Sequence, residues 1–261
     1  MFYYELHSHT NAASLCSIVE PEAYVDFYIK MGFSGMVVTD HFYHGNTSVN
    51  RRMPWDMFID GYCEGYYRAK REGDKHGFTV LFGFEQKFID GNDEYIVLGI
   101  SPDWLKTHPE IRDMDRIPFF DTIHKAGGFV IQAHPFRERY YISDIRLSLD
   151  YVDAIEVYNQ GDTDEQTRRA YEYAKNLGLP MTAGTDIHSI HDREVVGGIG
   201  LEKKITTIEE LIGEIKNKKI TILPTVEFER IKARPLNKNV KLNVFTLNEN
   251  GFKFEDNYFV N

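Results

Sequence analysis

The sequence predicts an α/β barrel, and three observations predict it. The chain has 261 residues, close to the usual size of one such barrel, roughly 250 residues. Short apolar strands alternate with amphipathic helices almost throughout, the pattern of right-handed βαβ units. Seven or so such units favour a barrel over an open sheet, although alternation alone does not force closure.

The elements follow in order. FYYELH is a first short strand. Glu20 and Pro21 open a helix whose apolar residues Ala23, Phe27 and Met31 recur at helical spacing, and Gly32 closes it. Residues 35–41 (GMVVTDH) form a valine-rich strand. A helix is expected from Trp55 to His76, stopping at Gly77, with strands at 78–85 and 94–100. FFDTIHKAGG reads as a helix ending in a glycine pair, and 129–135 (FVIQAHP) as a strand broken by proline. Residues 152–159 form a strand, and TDEQTRRAYEYAKNLG a helix with an acidic start and a glycine stop. Residues 180–188 (PMTAGTDIH) form a strand, TIEELIGEIKNKK a helix and ITILPTV a last barrel strand. From about residue 227 the pattern changes to two strands around an Asn-Gly turn, a hairpin signal. The expectation is a barrel over 1–226 and an appended β-hairpin within 227–261.

Composition narrows the function. Apolar residues make up 42% and charged residues 27%, ordinary for a globular protein. The net charge of −10 argues against a groove for duplex DNA or an acidic membrane surface. It leaves room for a small phosphorylated substrate, because bound divalent cations reverse the local sign. Cys16 and Cys63 are too few for a disulfide framework. The N-terminus lacks the pattern of a signal peptide, and no apolar run approaches the roughly 18 residues of a membrane span. A cytoplasmic enzyme is the expectation.

The ionisable residues gather at strand ends. His7 and His9 close the first strand, Asp40 and His41 the second, Glu85 the third, His134 the FVIQAHP strand, and Asp186 and His188 the PMTAGTDIH strand. In a parallel barrel such ends meet at one mouth, where active sites are built. His7 and His9, like Asp186 and His188, are two residues apart, so each pair faces one way from a strand. Imidazole with carboxylate suits Zn, Fe or Mn better than Ca or Mg. The number of groups exceeds what one tetrahedral ion accepts, which implies two or three metals sharing carboxylates.

These motifs, ELHSHTNAASLCS, GMVVTDH, FGFE, IQAHPFR and AGTDIH in that order, resemble the PHP (polymerase and histidinol phosphatase) superfamily over roughly residues 1–200. The resemblance implies a distorted (β/α)7 TIM-like barrel with up to three metals. It places His7, His9, Glu85 and Asp186 around one ion, Glu85 as a bridge to a second ion shared with His134, and His41 with His188 on a third. Asp40 would accept a hydrogen bond from a ligand imidazole. Two positions depart from the family pattern. Where an Asp or His is common, this chain has Cys16, readable as a thiolate ligand or as a small buried residue. Where a His is common, it has Ile96, with Glu94 two residues earlier on the same face as a substitute.

The implied function is a metal-dependent phosphoesterase that hydrolyses a small phosphorylated metabolite or nucleotide with metal-activated water. Arg137, three residues past His134, is placed to grip a phosphate oxygen, and His44 to protonate the leaving group. Arg193 is a weaker candidate. Phe42 and Tyr43 are expected to wall the pocket. Tyr62, Tyr66 and Tyr67 read as packing, and His76, His108 and His124 as structural or solvated. Competing readings are a nuclease acting on single-stranded ends and a metal-binding regulatory protein with a degraded site. Nucleic acid is a disfavoured partner, since no basic, aromatic-studded tail is present.

Overall fold

The computed structural model describes residues 1–191, 196–228 and 243–255; Arg193 lies outside the described residues. Strand β1 (Phe2–Glu5) leads to helix α1 (Pro21–Lys30), whose Pro21 occupies the first turn, where a missing N–H costs nothing. Gly32 adopts φ 81° and turns the chain into β2 (Gly35–Val38). The expected helix over 55–76 is two helices, α2 (Trp55–Tyr62) and α3 (Glu64–His76), which share Cys63 as their junction. Gly65 lets α3 start hard against the loop after β1: a β-carbon there would lie 2.4 Å from Thr10 Oγ1.

Strands β3 (Thr79–Lys87) and β4 (Glu94–Leu98) follow, then α4 (Pro102–Thr107), a 3-10 turn at Pro109–Asp113, and α5 (Arg116–Lys125). Next come β5 (Phe129–Ala133), β6 (Asp144–Leu147), β7 (Ala154–Asn159), α6 (Asp164–Leu177), β8 (Met181–Gly184) and β9 (Gly198–Leu201). Helix α7 (Ile208–Lys216), β10 (Thr221–Leu223), β11 (Asn243–Asn248) and β12 (Gly251–Phe254) complete the described chain. Helices α6 and α7 both begin with capping boxes, Thr163 with Gln166 and Thr207 with Glu210, so their first N–H groups are satisfied locally.

The main sheet runs β10-β9-β1-β2-β3-β4-β5-β7-β8. Seven of these strands, β1 through β8 without β6, form the ring. Its ends meet where Ser8 bridges Ile187 in parallel and Asp186 N–H donates to the His7 carbonyl at 2.9 Å, so the sheet is a nearly closed barrel. Strand β9 pairs antiparallel with β1, and β10 antiparallel with β9. Neither β6 nor β9 is expected from the sequence; β9 is half glycine and lacks a strand's usual apolar density.

The sheet is not parallel throughout. Strand β4 is antiparallel to both β3 and β5. The 88–93 connection is too short for a parallel crossover, which takes about a dozen residues. Reversal brings the first residue of β4, Glu94, level with Lys87 of β3 and Ala133 of β5, at the rim where those strands end. Beneath that rim, Leu6, Val37, Leu81, Ile96, Ile131 and Ile199 pack with Leu211 and Ile215 of α7 into an apolar interior. Ile96 belongs to this interior.

The C-terminal hairpin is present as β11 and β12 around the Asn-Gly turn. It does not stand apart. Strand β11 pairs parallel with β6, and Val244 and Leu247 are buried in the main core.

Candidate metal centre

Every strand-end residue singled out in the sequence comes to the rim of the barrel. Glu85, at the end of β3, is fully buried and sits between two pairs of imidazoles. Its Oε1 lies 3.0 Å from His7 Nε2 and 3.3 Å from His134 Nε2. Its Oε2 lies 2.5 Å from His41 Nδ1 and 3.6 Å from His9 Nε2. Asp186 Oδ1 lies 3.0 Å from His9 Nε2 and 3.6 Å from His7 Nε2. Glu94 Oε2 approaches His134 Nε2 at 3.6 Å and groups with His41 and Glu85. Glu94 thus stands in the site, as its substitution for the missing histidine requires.

The rings are aimed by groups behind them. Glu156, on β7, accepts from His7 Nδ1 at 3.0 Å and from the His134 backbone N–H at 2.9 Å. A carboxylate only accepts, so His7 carries a proton on Nδ1 and presents Nε2 to Glu85 and Asp186. Glu156 was not singled out in the sequence; its signal was a lone acid alternating into an otherwise apolar strand, AIEVYN. Glu5 works one layer deeper, accepting from the His7 backbone N–H at 2.6 Å and the Thr185 N–H at 3.0 Å. Gly184 allows the close approach: a β-carbon there would lie 2.5 Å from the His7 side chain.

Asp40 does not bind an imidazole directly, contrary to the role expected for it. Its oxygens accept from Thr10 N–H (2.6 Å), Thr10 Oγ1 (2.7 Å) and Ser14 Oγ (2.7 Å). It reaches a ligand only through Ser14, whose Oγ lies 3.5 Å from His9 Nδ1. The nearer hydroxyls and amide of the loop after β1 fill its acceptor sites first.

His9, His41 and His188 form a second cluster, with ring centroids 4.2 Å (His9–His41) and 4.7 Å (His9–His188) apart. His188 Nδ1 donates to the Asp186 carbonyl at 2.8 Å, leaving Nε2 for a ligand. Cys16 stands beside His188 and His41 and lines the cavity above them. It is exposed, so the buried-residue reading of Cys16 falls.

Arg137 is not a surface arginine. It donates from Nη1 to Asp186 Oδ2, from Nε to Asp162 at 2.8 Å and from Nη2 to Asn159 at 2.6 Å. Asp186 is thereby split, one oxygen toward His7 and His9 and the other toward Arg137. His44 lines the same cavity but uses Nε2 on the Arg112 carbonyl at 2.7 Å, so that nitrogen is not free to protonate a leaving group. Phe42 and Tyr43 do not wall the pocket. Phe42 is fully buried against Tyr62 and Phe84, and Tyr43 packs on Trp55 and Phe58. Tyr62 and Tyr66 join the same packing, whereas Tyr67 is exposed. His76 pairs with Glu72, His108 stacks on Trp104 and His124 pairs with Asp153, all away from the site.

The electrostatics are those of ligands around a cation. Burial acts to raise the pKa of Glu85, but the charges of His41 and His7 outweigh it and hold the carboxylate well below its usual range. Burial likewise opposes ionisation of Asp186, and His7 and Arg137 outweigh it. Burial, with His41 beside it, pushes His9 down to about 3, so His9 is a neutral imidazole. His7 Nε2, His9 Nε2, His41 Nδ1 and Glu85 Oε2 are buried without a hydrogen bond of acceptable geometry. Leaving such groups unpaired costs roughly 1–3 kcal/mol each, and bound cations would give them partners. His134 (φ 29°) and Asp186 (φ 52°) hold their side chains on backbone in the left-handed region, strain that falls on two of the candidate ligands. The residues fit a bound metal cluster.

Above these residues lies a cavity of about 470 Å³, bordered by Cys16, His41, Lys87, Glu94, Arg137 and His188 among others. No helix of the described residues is long and apolar enough to cross a membrane.

Comparison with known proteins agrees with this geometry. The fold is shared with a two-domain protein of Bacteroides vulgatus described as containing a PHP-like metal-dependent phosphoesterase. The TM-score is 0.63 at 15% identity, over 85% of this chain and 64% of that one. It is also shared with PsfC of Pseudomonas syringae PB-5123, with a TM-score of 0.54 at 18% identity, over 88% of this chain and 95% of that one. A stretch of 86 residues, 33% of this chain, is 30% identical to the PolC-type DNA polymerase III of Oceanobacillus iheyensis and spans 5% of that protein. Residues 5–133, from Glu5 through the end of β5, match the profile of the PHP domain family.

Proposed function

We propose that the chain is a metal-dependent phosphoesterase acting on a small phosphorylated metabolite or nucleotide. The observation that carries this reading is Glu85, whose two oxygens face different pairs of imidazoles, His7 with His134 and His9 with His41. A carboxylate flanked by four imidazoles in this way would serve more than one bound cation. Bound Zn, Mn or Fe would supply an activated water near neutral pH and neutralise the charge on phosphate oxygens. His7, His9, Glu85 and Asp186 would hold one ion, Glu85, His134 and Glu94 a second, and His41, His188 and Cys16 a third. Arg137 fixes the orientation of Asp186, and Lys87 offers a positive charge to the substrate from the cavity wall. The cytoplasmic expectation rests on two cysteines that are both free.

The thiol of Cys16 gives the third position its own signature. Cobalt(II) loading of the wild type is expected to produce a near-ultraviolet thiolate charge-transfer band that Cys16→Ser lacks. A band unchanged in the variant removes Cys16 from the ligand set.

The function is tested by phosphate release from monoesters, dinucleotides and a short single-stranded oligonucleotide, after separate loading with Mn, Fe or Zn. The Asp186→Ala variant is the control. Release that depends on metal and vanishes in the variant is the expected result. Cleavage of the oligonucleotide alone would move the reading to a nuclease, and bound metal without any turnover would move it to a regulatory protein.

A further inference from the structure

We infer that the ester's alcohol part is apolar and carries a flat aromatic face, bound outside the metal cavity by a collar of exposed apolar side chains. The inference rests on the phosphoesterase reading and adds the substrate class. Eleven large apolar side chains are exposed among the described residues, and five stand on three loops at this one mouth: Leu15 (67%), Ile18 (66%), Ile89 (85%), Tyr140 (100%) and Tyr141 (56%). Scattered exposed apolar residues need no explanation, but a cluster around a cleft does.

The three loops border the cavity, and Tyr141 lines it. Leu15 and Ile18 flank Cys16, Ile89 lies between Lys87 and Asn92, and Tyr140 precedes Tyr141; Cys16, Lys87, Asn92 and Tyr141 all line the cavity wall. Hydrogen bonds tie these loops to the rim. Leu15 N–H donates to the Asn46 carbonyl at 2.9 Å and Ile18 N–H to the His188 carbonyl at 3.1 Å, and Asn92 Nδ2 reaches the Tyr141 carbonyl at 3.4 Å. The Tyr140 and Tyr141 rings meet edge to face, with centroids 5.2 Å apart at 90°, which presents two ring faces at right angles. The cavity itself is charged and offers little to an apolar group. A ligand that fills both zones is therefore amphipathic: an anionic phosphate inward and an apolar, planar group outward, stacked on tyrosine. A sugar or polyol phosphate would leave the collar exposed to water.

The test separates binding from turnover. Binding of 1-naphthylphosphonate and of methylphosphonate, neither of which can be hydrolysed as an ester, is measured on metal-loaded protein by calorimetry. Turnover of 1-naphthyl phosphate and glycerol 2-phosphate is measured in parallel. The naphthyl compounds are expected to be favoured in both measurements by about tenfold or more. Tyr141→Ala is expected to erase most of that ratio, and Tyr141→Phe to keep it. A naphthyl preference in binding without any turnover supports the collar and overturns the esterase reading. Turnover without a naphthyl preference, equal ratios in Tyr141→Ala, or failure of both phosphonates to bind overturns the collar. Sedimentation is the last check: a stable dimer that Tyr140→Ser with Leu15→Ser dissociates would show that the collar binds a second copy instead.

Discussion

Two clusters of buried charge lie on the same β3–β4 hairpin, and they are finished differently. In the turn, Arg116 is gripped by both oxygens of Asp93 (2.7 and 2.8 Å) and by Asp90 at 2.5 Å. Its guanidinium lies 4.6 Å from the Phe88 ring centroid and 4.9 Å from that of Phe252. On the strands, Glu85 and Glu94 face imidazoles, with four buried atoms lacking a proper hydrogen bond. Arg116 and Asp93 are buried as Glu85 is, whereas Asp90 lies at the surface. The first cluster contains its own cation and is complete; the second is a set of ligands whose cation comes from solution. Completeness of pairing, more than depth, separates a structural charge cluster from a binding one.

The largest expected break in this comparison is chemical. Asp186→Ala or His7→Ala should lower metal-dependent turnover by a factor of at least about 10². The melting temperature of the metal-free protein should change little. Retained turnover in both variants after metal repletion would contradict the assignment. Arg116→Ala should do the opposite, leaving the buried Asp93 without its cation, while Asp90 keeps Arg146, and costing about 3–5 kcal/mol in denaturant unfolding. Metal content per folded molecule should hold.

Smaller effects sharpen the contrast. Glu156→Gln keeps the shape but weakens the acceptor for His7 Nδ1, so metal affinity should fall by about 10–100-fold, read by competition with a chromophoric chelator. The smallest effect belongs to the surface pair His124–Asp153. The hydrogen bond to Asp153 raises the pKa of His124 above its ordinary 6.5. Its contribution is therefore full below pH 6.5 and is lost as pH rises through the raised value. His124→Gln should remove a small downward slope of stability with pH above 6.5, measured by urea titration.

Much of the site was legible because strand ends are where a barrel collects function. His7, His9, His41, Glu85, His134, Asp186 and His188 needed only their positions at the ends of apolar strands, and they meet as placed. Glu94 was found for an incomplete reason. Same-face spacing linked it to Ile96, but its place at the rim comes from the reversal of β4, which the shortness of 88–93 could have announced. Glu156 was hidden because it lies inside a strand, where an acid reads as an outward-facing residue. Phe42 was misplaced because proximity in sequence to His41 says nothing of direction: successive residues point to opposite sides. Strand β9 escaped because its glycines carry no apolar pattern; it forms by pairing with β1, a long-range event that local propensity does not encode.

The reversed strand also governs how the site tolerates change. Glu85 and Glu94 are drawn from one hairpin and sit two rungs apart in its ladder, so their separation is fixed by ladder geometry and is indifferent to how the barrel tilts or widens. His7, His9 and Asp186 are joined at the seam between β1 and the end of β8 in the same way. The centre is thus assembled from two prefabricated halves. Substitutions that shift one half against the other would retune the gap between cation positions without disturbing the ligands inside either half.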